Sequence, residues 1–149
     1  MVKRRALATK LHDCGIHLKA GGRDRRRSMH ECIGGQSQGG INTPQSVKSI
    51  LIFTGSAGHK YGYVDEWIDD ATFLYTGEGQ VGDMEMVRGN RAIRDHEKVG
   101  KELHLFEIRS KGYIRYIGEM ECVDHESRVG PDAEGKDRRA IRFRLRLLE

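Results

Sequence analysis

A chain of 149 residues with 37% hydrophobic and 32% charged side chains has room for one core under an ionic surface. It carries no apolar run near ~20 residues, which excludes a membrane-spanning helix and, without a signal-peptide stretch, leaves a cytoplasmic location as the expectation. The net charge of +4 is unevenly spread: residues 1–30 hold nine Lys and Arg against Asp13 and Asp24, whereas residues 64–86 hold seven acids and no base. That layout fits a polyanion binder whose ligand pocket has its own polarity, although solvated faces carry similar charges.

In chain order, Ala6, Leu7 and Leu11 have near-helical spacing, so a short helix is expected over Lys3–Cys14 within an otherwise loose basic segment. Gly21 to Arg27 reads as a basic arm, and Gly34 to Gly40 as a flexible loop. Val47–Thr54 is a compact apolar run suited to a buried strand, and Thr72–Thr76 is a second strand, ended by Gly77 and Gly79. Asn90–Val99 is a short helix stopped by Gly100. Glu102–Arg109 and Tyr113–Asp124 are strands, the latter broken by Gly118, and a polar turn fills Gly130–Lys136. In Arg139–Leu148, Ile141, Phe143, Leu145 and Leu147 alternate with Arg142, Arg144 and Arg146, the period-two signature of a strand with a core face and a solvated arginine face. The chain therefore reads as α+β, a curved sheet or open barrel with one or two short helices. A basic extension covers residues 1–25 and a folded domain covers 26–149.

Several motifs fail on context. Gly77 to Gly82 matches G-x-G-x-x-G, but Asp83 and Glu85 put negative charge where a pyrophosphate would sit. Cys14, His17, His30 and Cys32 could supply zinc ligands, yet His-x-Cys is tight. Pro131 to Lys136 resembles a compressed nuclease motif, but its acids share one Gly-flanked turn. No catalytic residue and no metal or other cofactor are therefore expected, and His96 and His104 read as structural. Cys14, Cys32 and Cys122 are an odd number, so reduced thiols are the simple expectation.

The block Tyr63-Val64-Asp65-Glu66-Trp67, followed by Tyr75-Thr76-Gly77-Glu78-Gly79 and Gly89-Asn90-Arg91-Ala92-Ile93, resembles the SET- and RING-associated (SRA) domain. The form it resembles is that of bacterial modification-dependent (McrA/HNH-type, type IV) restriction enzymes, over roughly residues 26–148. The resemblance implies a curved PUA-like barrel that binds double-stranded DNA and rotates a 5-methyl- or 5-hydroxymethylcytosine into a pocket. It implies that Tyr63 and Tyr75 sandwich the base, that Asp65 (or its neighbour Glu66) recognises the cytosine amino group, and that Thr76 and Gly77 touch the base edge. Phosphate contacts are expected from Arg88, Asn90, Arg91 and Arg94. Cleavage would then belong to an HNH-type nuclease domain or partner. The interval after the Tyr-Thr-Gly turn holds only Gln80 to Gly89, where eukaryotic members insert a longer finger, so a hemimethylated-CpG preference is not implied. Two other classes fit the composition: a small nuclease or base-processing enzyme using His96, His104 or the acids with a metal, and a PUA-like RNA-binding or protein-interaction module.

Overall fold

The computed structural model describes residues 6–55 and 65–148. Among these residues, three short α-helices, α1 (Ala6–Asp13), α2 (Arg26–Ile33) and α3 (Arg88–Arg94), accompany eight strands. The strands are β1 (Arg23–Arg25), β2 (Ile41–Asn42), β3 (Ser49–Thr54), β4 (Glu66–Trp67), β5 (Thr72–Thr76), β6 (Glu102–Ile108), β7 (Tyr113–Pro131) and β8 (Asp137–Leu147). They form one mixed sheet in the order β2-β3-β6-β7-β8-β5-β4, with β1 paired to β7. Among the described residues no ladder joins β2 to β4, so the α+β class holds while the expected barrel closure is not seen.

β3 and β6 run parallel, from Ser49 opposite Glu102 to Thr54 opposite Glu107. This explains the unbroken apolar run of β3, because a strand in mid-sheet is covered on both faces. Ile50 and Ile52 enter one core cluster with Leu103, Leu105, Phe143 and Leu145. Leu51 and Phe53 enter the other, with Phe106, Ile114 and Met29.

β7 is not broken at Gly118 as expected. The strand runs on, and the ladder shifts register between Leu105 and Phe106, which face Gly118 and Tyr116 and leave Ile117 as the extra residue of a bulge. A glycine suits Gly118 because its φ is 157°, and the tip of the Leu147 side chain, 2.7 Å from where a Cβ would stand, would have to move aside for any other residue.

The basic N-terminal segment is more ordered than its composition suggests. Leu7 and Leu11, one helical turn apart, are fully buried against the cluster that holds Met29 and Ile33. Burying a leucine contributes roughly 1.5–3 kcal/mol, enough to dock a two-turn helix that would be marginal alone. This docking corrects the thiol expectation. With α1 against α2, the Cα atoms of Cys14 and Cys32 are 6.1 Å apart and the two residues form a disulfide, leaving Cys122 as the free cysteine. An odd count excludes only complete pairing, and it is the packing that selects the pair.

The arginine stripe of β8 is only partly solvated. Arg144 pairs with Asp124 at 3.1 Å, and Arg146 pairs with Glu121 across the β7–β8 ladder. Arg142 is 5% exposed and reaches Glu66 at 3.2 Å, so it belongs to the interior.

Candidate functional site

A cavity of about 910 Å³ opens between α2, the end of β3, the start of β4 and the loop after β5. Its wall includes Arg26, Phe53, Asp65, Tyr75, Thr76 and Gly77. Tyr75 comes from β5, where alternation sends Phe73 and Tyr75 inward, and it is 3% exposed. Its hydroxyl lies 3.0 Å from the Gly40 carbonyl and 3.1 Å from that of Phe53, so the ring cannot swing. Burial, with Asp65 and Glu78 adding negative charge nearby, pushes its phenol well above the usual tyrosine range. The ring is therefore a neutral, rigid plate at the cavity.

Opposite polarity comes from α2. The Arg26 guanidinium lies 3.6 Å from the Phe53 ring centroid and donates to the carbonyls of Gly39 at 2.9 Å and Gln36 at 3.3 Å. Its Nε donates to His30 Nε2 at 3.1 Å, so His30 Nδ1 carries the proton and donates to Gly34 O at 2.9 Å. Burial, together with the Arg26 charge, lowers the His30 pKa and keeps the ring neutral. Burial also pushes Arg26 itself down to about 10, still fully charged at neutral pH. The cation braces the glycine loop that Tyr75 also holds.

Asp65 stitches two strands at the wall. One carboxylate oxygen accepts the Thr54 hydroxyl at 2.6 Å, and the other accepts the Thr76 N–H at 2.8 Å. Thr76 and Gly77 then begin a loop shaped by Asn90 of α3. Asn90 Oδ1 accepts the Glu78 N–H at 2.8 Å, while Nδ2 donates to the carbonyls of Glu78 and Glu85 at 3.0 Å each. A Cβ on Gly77 would lie 2.5 Å from Asn90 Oδ1, which is why a glycine stands there.

Residues 21–149 match the family model described as ScoMcrA-like, SRA domain. The chain belongs to that family. Solved SRA-containing structures superpose on it at low identity. A complex of the sulfur-binding and SRA domains of ScoMcrA with phosphorothioated DNA gives a TM-score of 0.70 at 21% identity, over 87% of this chain and 40% of that one. The type IV phosphorothioation-dependent restriction endonuclease ScoMcrA gives 0.70 at 21%, with 87% of this chain covered and 24% of that one. The SRA domain of SUVH5 with methylated CHH DNA gives 0.65 at 21%, over 88% and 89% of the two chains. This SRA chain thus spans well under half of the ScoMcrA chains it matches. No curated protein matches it.

Within this SRA fold, Asp65, Tyr75, Thr76 and Gly77 gather on one cavity wall. Tyr63 lies outside the described residues. The residues expected at phosphates separate. Arg88, Arg91 and Arg94 stand exposed on α3, with Arg94 bound to its neighbour Asp95 at 2.8 Å. Asn90 is 1% exposed with its amide engaged on loop backbone, so it is a positioning residue for the Gly77–Gly79 loop and not a phosphate ligand. Arg26, where the family-like segment Arg26–Ile41 begins, also lines the cavity, as do Phe53, Arg109 and Ser110, which sequence reasoning did not single out. The spacing of Arg26 and His30, one helical turn apart, was the available signal.

The two histidines have structural partners. His96 Nε2 accepts the Cys122 N–H at 3.0 Å and its Nδ1 faces Lys101 O at 2.9 Å. His104 lies buried between the Tyr116 hydroxyl at 2.8 Å and Glu102 at 2.9 Å. Among the described residues no group of three His, Cys, Asp or Glu is placed to hold a metal, and no helix is long and apolar enough to cross a membrane.

Proposed function

We propose that this SRA domain binds double-stranded DNA carrying 5-methylcytosine or 5-hydroxymethylcytosine by rotating the modified base into the 910 Å³ cavity. The observation that carries the reading is the convergence of Tyr75, Asp65 and the Thr76-Gly77 backbone on one wall of that cavity. Extruding a base costs a few kcal/mol, and an aromatic plate restores about 1–3 kcal/mol of stacking. Tyr75 supplies one plate, already immobilised, and Tyr63 is assigned the other. Cytosine differs from thymine by its N4 amino donor, so the site needs an acceptor, and the Asp65 carboxylate supplies it. The open eight-strand path is read as the curved, barrel-like wrap of PUA-like domains, with the Gly118 bulge bending β7.

In this reading residues 26–149 do the recognising, residues 1–25 are a basic extension, and an HNH-type nuclease on another domain or partner cuts. The relatives that include ScoMcrA, with its much longer chain, support that division.

Equilibrium binding to three matched duplexes, carrying cytosine, 5-methylcytosine or 5-hydroxymethylcytosine, tests the proposal. Tyr75→Ala or Asp65→Ala should erase the preference for modified DNA and leave salt-dependent binding largely intact. Equal affinities of the unaltered chain for all three duplexes would sink it. Stronger competition by structured RNA would favour a PUA-like RNA module instead.

A further inference from the structure

The sheet surface beside the cavity is strongly basic. Arg23 faces Arg115 and Arg25 faces Tyr113 in the β1–β7 ladder, and Arg115 faces Glu107 in the β6–β7 ladder. Directly opposed residues share a sheet face. Arg23, Arg25, Tyr113, Arg115 and Glu107 therefore lie on one outer surface, and Arg109, next but one to Glu107 on the same chain, extends it. The guanidinium carbons of Arg25 and Arg23 stand 4.8 and 5.6 Å from the Tyr113 ring centroid. The tight turn Ser110–Gly112 projects Lys111 at the same end, with Lys111 in the left-handed region at φ 58°.

Arg23, Arg25, Arg109, Lys111 and Arg115 are five cations. Glu107, 2.9 Å from Arg109 and 3.7 Å from Arg115, is the carboxylate among them. Asp24 points through the opposite side of β1, where burial raises its pKa. The surface abuts the cavity at two places in the chain: Arg25 precedes the cavity residue Arg26, and Arg109 and Ser110 line the cavity themselves. A flipped nucleotide keeps its two flanking phosphates attached, so the strand must leave the cavity across a neighbouring surface. On α3, Arg88 and Arg91 also stand exposed, but Asn90 is buried and Arg94 is held by Asp95, so that side offers fewer cations than the five gathered around Tyr113.

We infer that the β1–β7–β6 surface around Tyr113 is the track for the DNA sugar-phosphate backbone next to the flipped nucleotide. The inference rests on the proposed base-flipping reading for its direction and adds the path. Backbone tracks act through counterion release, so each phosphate contact contributes about one unit to the slope of log affinity against log salt. Cation–π attraction to the Tyr113 ring favours keeping both guanidinium groups on this face before binding.

The test is an Arg25→Ala/Lys111→Ala variant of the full chain, titrated with matched 5-methylcytosine and unmodified duplexes over a salt series. Both residues are exposed, and a thermal melt checks that the fold is kept. The slope should become shallower by about two, and affinity for the two duplexes should fall by the same factor. The charge-keeping variant Arg25→Lys/Lys111→Arg should restore the slope. An unchanged slope overturns the track, even where the preference for modified DNA is intact. A shallower slope in a chain with no modification preference keeps the track and removes the base-flipping proposal.

Discussion

Asp132 and Arg138 hold Gly82 by both of its backbone groups: Asp132 Oδ2 accepts the Gly82 N–H at 3.0 Å, and Arg138 Nη1 donates to the Gly82 carbonyl at 2.9 Å. Arg138 also donates to Gly79 O at 3.0 Å. The β7–β8 turn therefore clamps the far end of the loop whose near end, Gly77 to Gly79, lines the cavity. The Pro131–Lys136 stretch, which resembles a nuclease motif in sequence, has this structural explanation.

Arg138→Met should free the rim loop. The arginine is 4% exposed, and its loss removes the hydrogen bonds it donates to the Gly79 and Gly82 carbonyls. A stability loss of about 2–4 kcal/mol is expected in urea unfolding, with weaker binding of modified DNA. An unaltered unfolding midpoint would show that the clamp contributes nothing.

Acid should loosen the same clamp. Asp132 accepts N–H bonds from Gly82, Glu134 and Lys136, and these hold its carboxyl below the ordinary 3.8. A carboxyl with a depressed folded pKa adds stability that is complete above its unfolded value and is lost as pH falls through the folded one. Melting temperatures from pH 7 down to 3 should therefore drop more steeply for the unaltered chain than for Asp132→Asn, the two curves converging below about pH 4. Parallel curves would remove Asp132 from the account.

Gly77 and Asn90 should be coupled. Gly77→Ala places a methyl 2.5 Å from Asn90 Oδ1 and is expected to cost about 1–3 kcal/mol. Asn90→Ala opens that space but strands the Glu78 and Glu85 backbone groups. A double-mutant cycle should show the two costs to be less than additive, by about 0.5–3 kcal/mol. Strict additivity would mean that Gly77 is needed for some other reason.

The Cys14–Cys32 pair closes a loop of 18 residues' separation. Reduction, or Cys14→Ser with Cys32→Ser, should lower stability by about 3 kcal/mol, read as a shift in urea midpoint with and without dithiol reductant. In a reducing compartment the domain would work at that lower stability.

Much of the sheet was legible because its residues obey local rules. β8 alternates, β5 is a short run between turn residues, and β6 and β7 are bounded by Gly100, Gly112 and a polar turn. What escaped the sequence depends on contacts far along the chain. β1 and β2, with three and two residues, form because β7 and β3 offer them a ladder. The basic run at Arg26 turns helical because Met29, Ile33 and Leu7 bury together. The site divides the same way. The Tyr-Thr-Gly-Glu-Gly motif marked one wall, whereas Arg26, Phe53, Arg109 and Ser110 arrive from separate segments and carry no shared spacing. Asn90 was legible as a member of the motif, but its burial, and hence its role, was not.

The parallel pairing of β3 with β6 has a kinetic consequence. Ser49 meets Glu102 across a separation of 53 residues, and Asp65, Tyr75, Thr76, Gly77 and Asn90 all lie inside that excursion. Closing so long a loop is paid in entropy before any contact repays it, and topologies rich in such non-local pairs fold in milliseconds to seconds. The strand that carries Tyr75 and Thr76 is itself tied non-locally, opposite Phe143 and Arg142 of β8. The cavity wall is completed when the centre of the sheet zips shut, so amide protons of the β3–β6 ladder and of the Thr76–Glu78 loop should exchange together, at the rate of global unfolding.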